Sequence, residues 1–453
     1  MSKLSRRNFL KQSSLAAATF AATPGAAYSQ VVGTGGSFTD YKALVCVFLF
    51  GGNDSFNLLV PHSQAEYDVY ADARQNLAIA RDELLPITPG IPDIVDYGLH
   101  PSVAGLHELF QSGAAAFVTN VGPLIEPTTK DQFFNRSVML PPQLFSHNDQ
   151  QDQWQSLKGI AQSNTGWAGR IADLIRTSVA GQQMSTNASL FGNNLLQSAD
   201  QSVAYVMGPG GPLKFEGFPT DINDPFYEQR LAFQRILDAD YGTVYERGFA
   251  EIQSRAIASA DTVSAAIESA GTLQTAFPQS QLGQQLETVA KLIKVRDDLQ
   301  MNRQIFFVAA GGFDSHDNQN DDQPGLLGGI SDAIKAFYDA TKNELFVADS
   351  VTTFTQSDFG RTLTSNGDGT DHAWGGNQVV VGDAVFGQRL YGSYPLLQID
   401  GADDVGGGRM IPTTSADQFA ATLAKWFGVE DADLDVIAPN IDNFTLRDLG
   451  FMI

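Results

Sequence analysis

Ile305–Gly312 reads IFFVAAGG, and Phe313-Asp314-Ser315-His316 follows at once. An apolar run closed by two glycines reads as a strand buried on both faces. It delivers Asp314, Ser315 and His316 just beyond its last apolar residues. The pattern recurs downstream. A helical stretch at 330–341 leads to VTTFTQ (351–356), a second strand, which ends in SDFGR with Asp358 and Arg361. A Gly/Asn/Asp-rich loop then brings GTDHAWGG, with Asp371 and His372. Upstream, Ala43–Phe50 is a continuous apolar run that leaves through Gly51-Gly52-Asn53-Asp54. Carboxylates and imidazoles placed just past strand ends are what an α/β sheet offers a ligand at its carboxyl edge.

The remaining elements extend this alternation. A helix is expected over 102–111, with Leu106, Leu109 and Phe110 as its apolar stripe, and Gly113 as its stop. Ala114–Val121 reads as a strand. Ser146 followed by Asp149 resembles a capping box and predicts a helix start, and Gly166 opens another helix through Ile175. The middle of the chain changes character, from an Asn/Gln/Ser-rich stretch at 185–202 to long helices at 225–270 and 281–301. Leu231, Phe233, Ile236 and Leu237 recur there at helical spacing and predict packing onto the main body. Gln378–Val381 is a further strand, and a helix over 413–428 closes the fold. This order predicts a single α/β domain over 30–453: a mostly parallel sheet with helices on both faces, and a mainly helical insert at about 185–301.

The candidate chemistry is metal binding. Asp314 and His316 share a face if the segment stays extended. Asp54, Asp358 and His372 are further ligand-type side chains near element ends. Five such donors at one sheet edge suit one or two divalent ions (zinc, calcium, magnesium or manganese) in an open geometry. Of the six histidines, His147, His316 and His372 lie in polar contexts, whereas His100 and His107 flank an amphipathic helix and read as packing or surface residues. Ser146, His147 and Arg361 are the candidate catalytic residues. Ser146 at a helix start is either a nucleophile favoured by the helix dipole or an ordinary N-cap. Arg361 either meets an anionic substrate group or orients a ligand carboxylate. There is no G-x-S-x-G elbow, no phosphate-binding G-x-x-x-x-G-K-[ST] loop and no H-E-x-x-H.

Composition narrows the partners. Ser5-Arg6-Arg7-Asn8-Phe9-Leu10-Lys11 is a twin-arginine pattern, followed by a short, mildly apolar Ala-rich stretch. Residues 1–29 are therefore expected to be an export signal read by the twin-arginine translocase, leading to a periplasmic or secreted protein. Its removal takes away four basic residues and no acid, moving the net charge from −23 to −27. So acidic a surface repels nucleic acid and anionic membrane. No other apolar run is long enough to anchor the mature chain in a bilayer. Cys46, the only cysteine, excludes an intramolecular disulfide and reads as a core residue.

Several blocks together carry a family resemblance: FLFGGNDSFNLLVP, LHPSVAGLHELFQSG, SHNDQQDQW, GWAGR, GGFDSHDNQ, SDFGRT, GTDHAWGG and GGRMIPTTSADQFAATLAKWFG. With the twin-arginine start, they resemble domain-of-unknown-function family 1501 over about 41–428. That family is grouped by similarity with the alkaline phosphatase–sulfatase superfamily, whose members hydrolyse phosphate or sulfate esters at one or two metals. The resemblance implies a hydrolase acting on an anionic ester, small or polymeric. It implies Asp54, Asp314, His316, Asp358 and His372 as ligands and Ser146 as nucleophile. Two departures stand out. Phe359 occupies the place where alkaline phosphatases have a His after the later ligand Asp, and no C/S-x-P-x-R sulfatase motif occurs. The alternative is a non-catalytic binding or assembly protein that keeps the fold.

Overall fold

The computed structural model describes residues 38–90, 95–159, 162–212, 219 and 221–453; the export segment expected at 1–29 lies outside them. At the centre is a nine-stranded sheet. Its order is Leu390–Tyr391, Ala115–Gly122, Gly376–Val381, Val351–Ser357, Lys42–Leu49, Arg303–Ala310, Asn187–Ser189 and Tyr205–Val206, with Thr414–Ser415 also pairing Ala115–Gly122. Lys42–Leu49 is central and runs parallel to both neighbours. Leu49 stands opposite Ala310 on one side and Ser357 on the other. The three apolar runs therefore end level, and the chain leaves all of them at one edge.

The sheet is mixed. Gly376–Val381 runs antiparallel to Val351–Ser357 and to Ala115–Gly122. The physical reason lies in the connection. The residues between 357 and 376 are taken up by a two-stranded ribbon, Arg361–Ser365 with Thr370–His372, rather than by a crossover helix. Without that crossover, the next strand comes back the other way.

Alternation along the first strand divides the core. Ala43, Val45, Val47 and Leu49 pack with residues of the helices Ala104–Gln111, Gln281–Lys294 and Gln319–Asp339. Leu44, Cys46 and Phe48 pack with residues of Trp167–Ile175 and Ala416–Phe427. Cys46 is buried, in the core place its neighbours predict. No helix among the described residues is long and apolar enough to cross a membrane.

Several boundaries differ from expectation. The helix expected from 330 begins at Gln319, despite Pro324 inside it. Tertiary contacts override propensity here, because Gln319 and Gln323 are buried and hydrogen-bonded to Asp54. The stretch 225–270 forms two helices, Tyr227–Leu237 and Val244–Ala270, with Gly242 in the break. Of the apolar residues on the first of these, only Leu237 is buried, while Ile236 is exposed. That helix packs on Val244–Ala270. Within 185–301, Asn187–Ser189 and Tyr205–Val206 join the main sheet. Gln285 of Gln281–Lys294 bonds both the amide and the carbonyl of Ala309.

Candidate metal centre

The level edge of the three parallel strands is where the donors gather. Gly51 has φ +117°, and a Cβ there would lie 2.3 Å from the Asp314 amide nitrogen. Only glycine lets the two exit loops touch. Arg361, fully buried, ties them further: Nη1 donates to the Gly51 carbonyl at 2.8 Å and to Asp314 Oδ1 at 2.9 Å. Its Nε donates to Thr370 Oγ1 at 3.0 Å. The ribbon sets Arg361 opposite His372. His147 opens the helix His147–Ser156.

His147, Asp314 and His372 each bring one ligand-type atom into a group whose members lie within 4.8 Å of one another. His316 joins them, with Nε2 2.9 Å from His372 Nε2 and 3.1 Å from Asp314 Oδ1. Every imidazole has its Nδ1 against an oxygen. That of His147 meets Asp358 Oδ2 at 2.6 Å, that of His372 meets the Phe145 carbonyl at 2.8 Å, and that of His316 lies 3.3 Å from Asp371. A carbonyl only accepts, so His372 Nδ1 carries a hydrogen and the neutral ring turns a lone pair inward at Nε2. Nδ1 held by an oxygen acceptor and Nε2 directed to a shared point is the usual arrangement around metal-bound histidine. Two facing Nε2 atoms at 2.9 Å need a proton or a cation between them. By chemistry, imidazole nitrogens beside a carboxylate are donors that suit a divalent ion. The Phe359 ring packs under His147 and His372, at centroid distances of 4.8 and 4.7 Å.

The electrostatics agree. Burial lowers the pKa of His372, against the raising effect of the Phe145 carbonyl; the charges of His147 and Arg361 also lower it, and Asp314 raises it. Burial pushes the Asp314 carboxyl up, but the hydrogen bond and charge of Arg361, with His316 and His147, hold it below its ordinary value. The result is an ionised carboxylate facing a neutral imidazole, the protonation state that metal binding requires.

The other expected residues fall around this group. Asp358 is fully buried behind His147, and its Oδ2 also accepts from Gln151 Nε2 at 2.9 Å and the Gly51 amide at 3.1 Å. Its Oδ1 has no hydrogen-bond partner among the described residues. Asp54 is not among the clustered donors. It is buried in an ion pair with the fully buried Arg74, and Gln319 Nε2 donates to the same carboxylate oxygen. Ser146 is an N-cap by position only, since its hydroxyl donates to Asp149 Oδ2 at 2.6 Å and caps no backbone amide. Of the two roles open to Arg361, its contacts are those of a residue orienting Asp314. Sequence reasoning missed Gln151 and Arg74, and saw Phe359 only as a departure from the alkaline-phosphatase pattern, not as a ring packed against two of the histidines. Gln151 lies one helical turn after His147, a spacing that could have suggested a shared target. Nothing in the sequence links Arg74 to Asp54.

Fold and site define an α/β protein with a histidine–aspartate donor cluster at the carboxyl edge of its central sheet. The chain belongs to the family described as protein of unknown function (DUF1501), which matches residues 41–436. No curated protein matches it. Among solved structures, it is similar to Ps i-CgsB in complex with k-i-k-neocarrahexaose, at 10% identity and a TM-score of 0.35, covering 88% of this chain and 77% of that one. A second structure, from work on the metabolism of multiple glycosaminoglycans by Bacteroides thetaiotaomicron, is 11% identical with a TM-score of 0.32, covering 87% and 74%. Likenesses this distant carry no argument about what this chain binds.

Proposed function

We propose that this chain is an exported, metal-dependent hydrolase-like protein acting on a phosphate or sulfate ester. The observation that carries the reading is the convergence of His147, Asp314, His372 and His316 at the edge where three parallel strands end. Three imidazoles and one carboxylate suit zinc or manganese better than calcium or magnesium, which prefer all-oxygen shells. An ion held there would supply Lewis acidity and an activated water. The chain's own contributions are distinct. Asp314 brings the negative charge, Arg361 fixes its orientation, and Asp358 and the Phe145 carbonyl hold the rings of His147 and His372. Arg409, partly exposed, donates from Nε to the His372 carbonyl at 3.0 Å and is the cation best situated to meet an anionic substrate. The engagement of Ser146 by Asp149 favours water over Ser146 as nucleophile. The same reading takes residues 1–29 as a twin-arginine signal, the destination as periplasmic or extracellular, and the fold as alkaline-phosphatase-like. In that fold the sheet is mostly parallel and flanked on both faces, with 185–301 as an insertion.

The test is a panel of phosphate and sulfate monoesters, with metal-loaded protein and with chelator-treated protein. Hydrolysis that chelation abolishes and that His372→Ala lacks is expected. A fully metal-loaded protein inert toward every ester would leave the second reading, a binding or assembly protein, which the tied-up Ser146 hydroxyl also favours.

A further inference from the structure

Beside the metal centre lies a cleft of about 470 Å³, whose lining includes Phe133, Phe134, Arg136, Leu140, Leu144 and Phe145. We propose that it is the subsite for the organic part of the ester and that it selects alcohols with a flat, apolar ring face. The proposal rests on the ester reading of the neighbouring centre.

Phe145 joins cleft and centre: it lines the cleft, while its carbonyl holds Nδ1 of His372. Phe133 packs against Trp374, a fully buried residue two positions beyond His372, at a centroid distance of 6.0 Å. One wall is therefore anchored to the strand-ribbon segment that carries the ligands. Phe134 meets Phe133 edge to face at 5.3 Å yet remains 59% exposed, a large aromatic kept in water. An exposed apolar patch that abuts a polar centre is the mark of a ligand surface.

The backbone supports the same conclusion. Gln143 (φ +51°) and Phe145 (φ +72°) are both left-handed without being glycine. Such residues cost about 1 kcal/mol or more each and tend to persist at ligand sites. Here they aim one residue's carbonyl at the centre and its ring at the cleft. Two cations stand near these rings: Arg409 lies 5.3 Å from the Phe145 ring centroid, and the exposed Arg136 lines the cleft and makes no ion pair among the described residues. On a chain of net charge −23, aromatic faces with guanidinium groups beside them suit a ring that carries an anionic group.

The experiment uses metal-loaded, full-length mature protein and calorimetric binding of phenylphosphonate and methylphosphonate, neither of which has an ester bond to cleave. Phenylphosphonate is expected to bind roughly five- to tenfold more tightly. Phe134→Ala should abolish that preference and leave methylphosphonate unchanged. Equal binding of the two probes, or an unaffected preference in Phe134→Ala, would overturn the subsite and leave the ester reading intact. Binding of neither probe would overturn the ester reading and the subsite with it.

Discussion

Asp358 accepts from His147, Gln151 and the Gly51 amide through one oxygen, in a fully buried position. Its work is to fix the ring of His147, so Asp358→Asn should lower metal affinity about 10- to 100-fold while the chain stays folded; metal titration followed by circular dichroism checks both. Asp54 makes the contrasting case. Arg74→Met would leave its carboxylate buried and unpaired, at a cost of about 3–5 kcal/mol read by urea unfolding. Asp54→Ala should likewise destabilise the protein, yet folded protein should retain its metal. The sequence offered Asp54, Asp314, His316, Asp358 and His372 alike as ligand-type residues near element ends, and gave His147 a catalytic role rather than a place among the donors. It did not show that Asp54 is engaged by Arg74, because that ion pair joins side chains 20 residues apart through tertiary packing.

At the scale of elements, the buried strands were legible because both their faces are apolar. Their direction was less so. Apolar runs do not encode parallel or antiparallel pairing, and Gly376–Val381 returns antiparallel because a ribbon precedes it. The start of the helix Gln319–Asp339 was hidden by Pro324 and its neighbouring glycines, while the buried glutamines that hold it are visible only in three dimensions. The tight meeting of strand exits also yields a prediction. Gly51→Ala combines a φ of +117° with a Cβ 2.3 Å from the Asp314 amide nitrogen. The Asp314 loop must move, so bound metal should fall sharply and stability should drop by about 1–3 kcal/mol, measured by elemental analysis and denaturant unfolding.

For the whole molecule, two buried groups give opposing pH dependences. His100, 2% exposed, accepts from the Ser102 amide at Nδ1, and burial lowers its pKa from 6.5 to about 4. The unfolded chain takes up this proton first, so stability falls as pH falls from about 6.5 towards 4. Burial raises Asp417 from 3.8 to about 7, against the lowering effects of Asn440, Ser415 and Arg170. The unfolded chain loses that proton first, so stability falls as pH rises from about 4 to 7. Each effect is bounded at about 3–4 kcal/mol. Urea midpoints across pH 4.5–8 should lose the acid-side slope in His100→Gln and the opposite slope in Asp417→Asn.

The claim on which everything else depends is that His147, Asp314, His316 and His372 hold a divalent cation. Elemental analysis of the mature protein, beside His147→Ala and His372→Ala, tests it most directly. About one divalent ion per native chain is expected, and little or none in either folded variant. A native protein that takes up no metal when offered zinc or manganese, and is indistinguishable from both variants, would contradict the account.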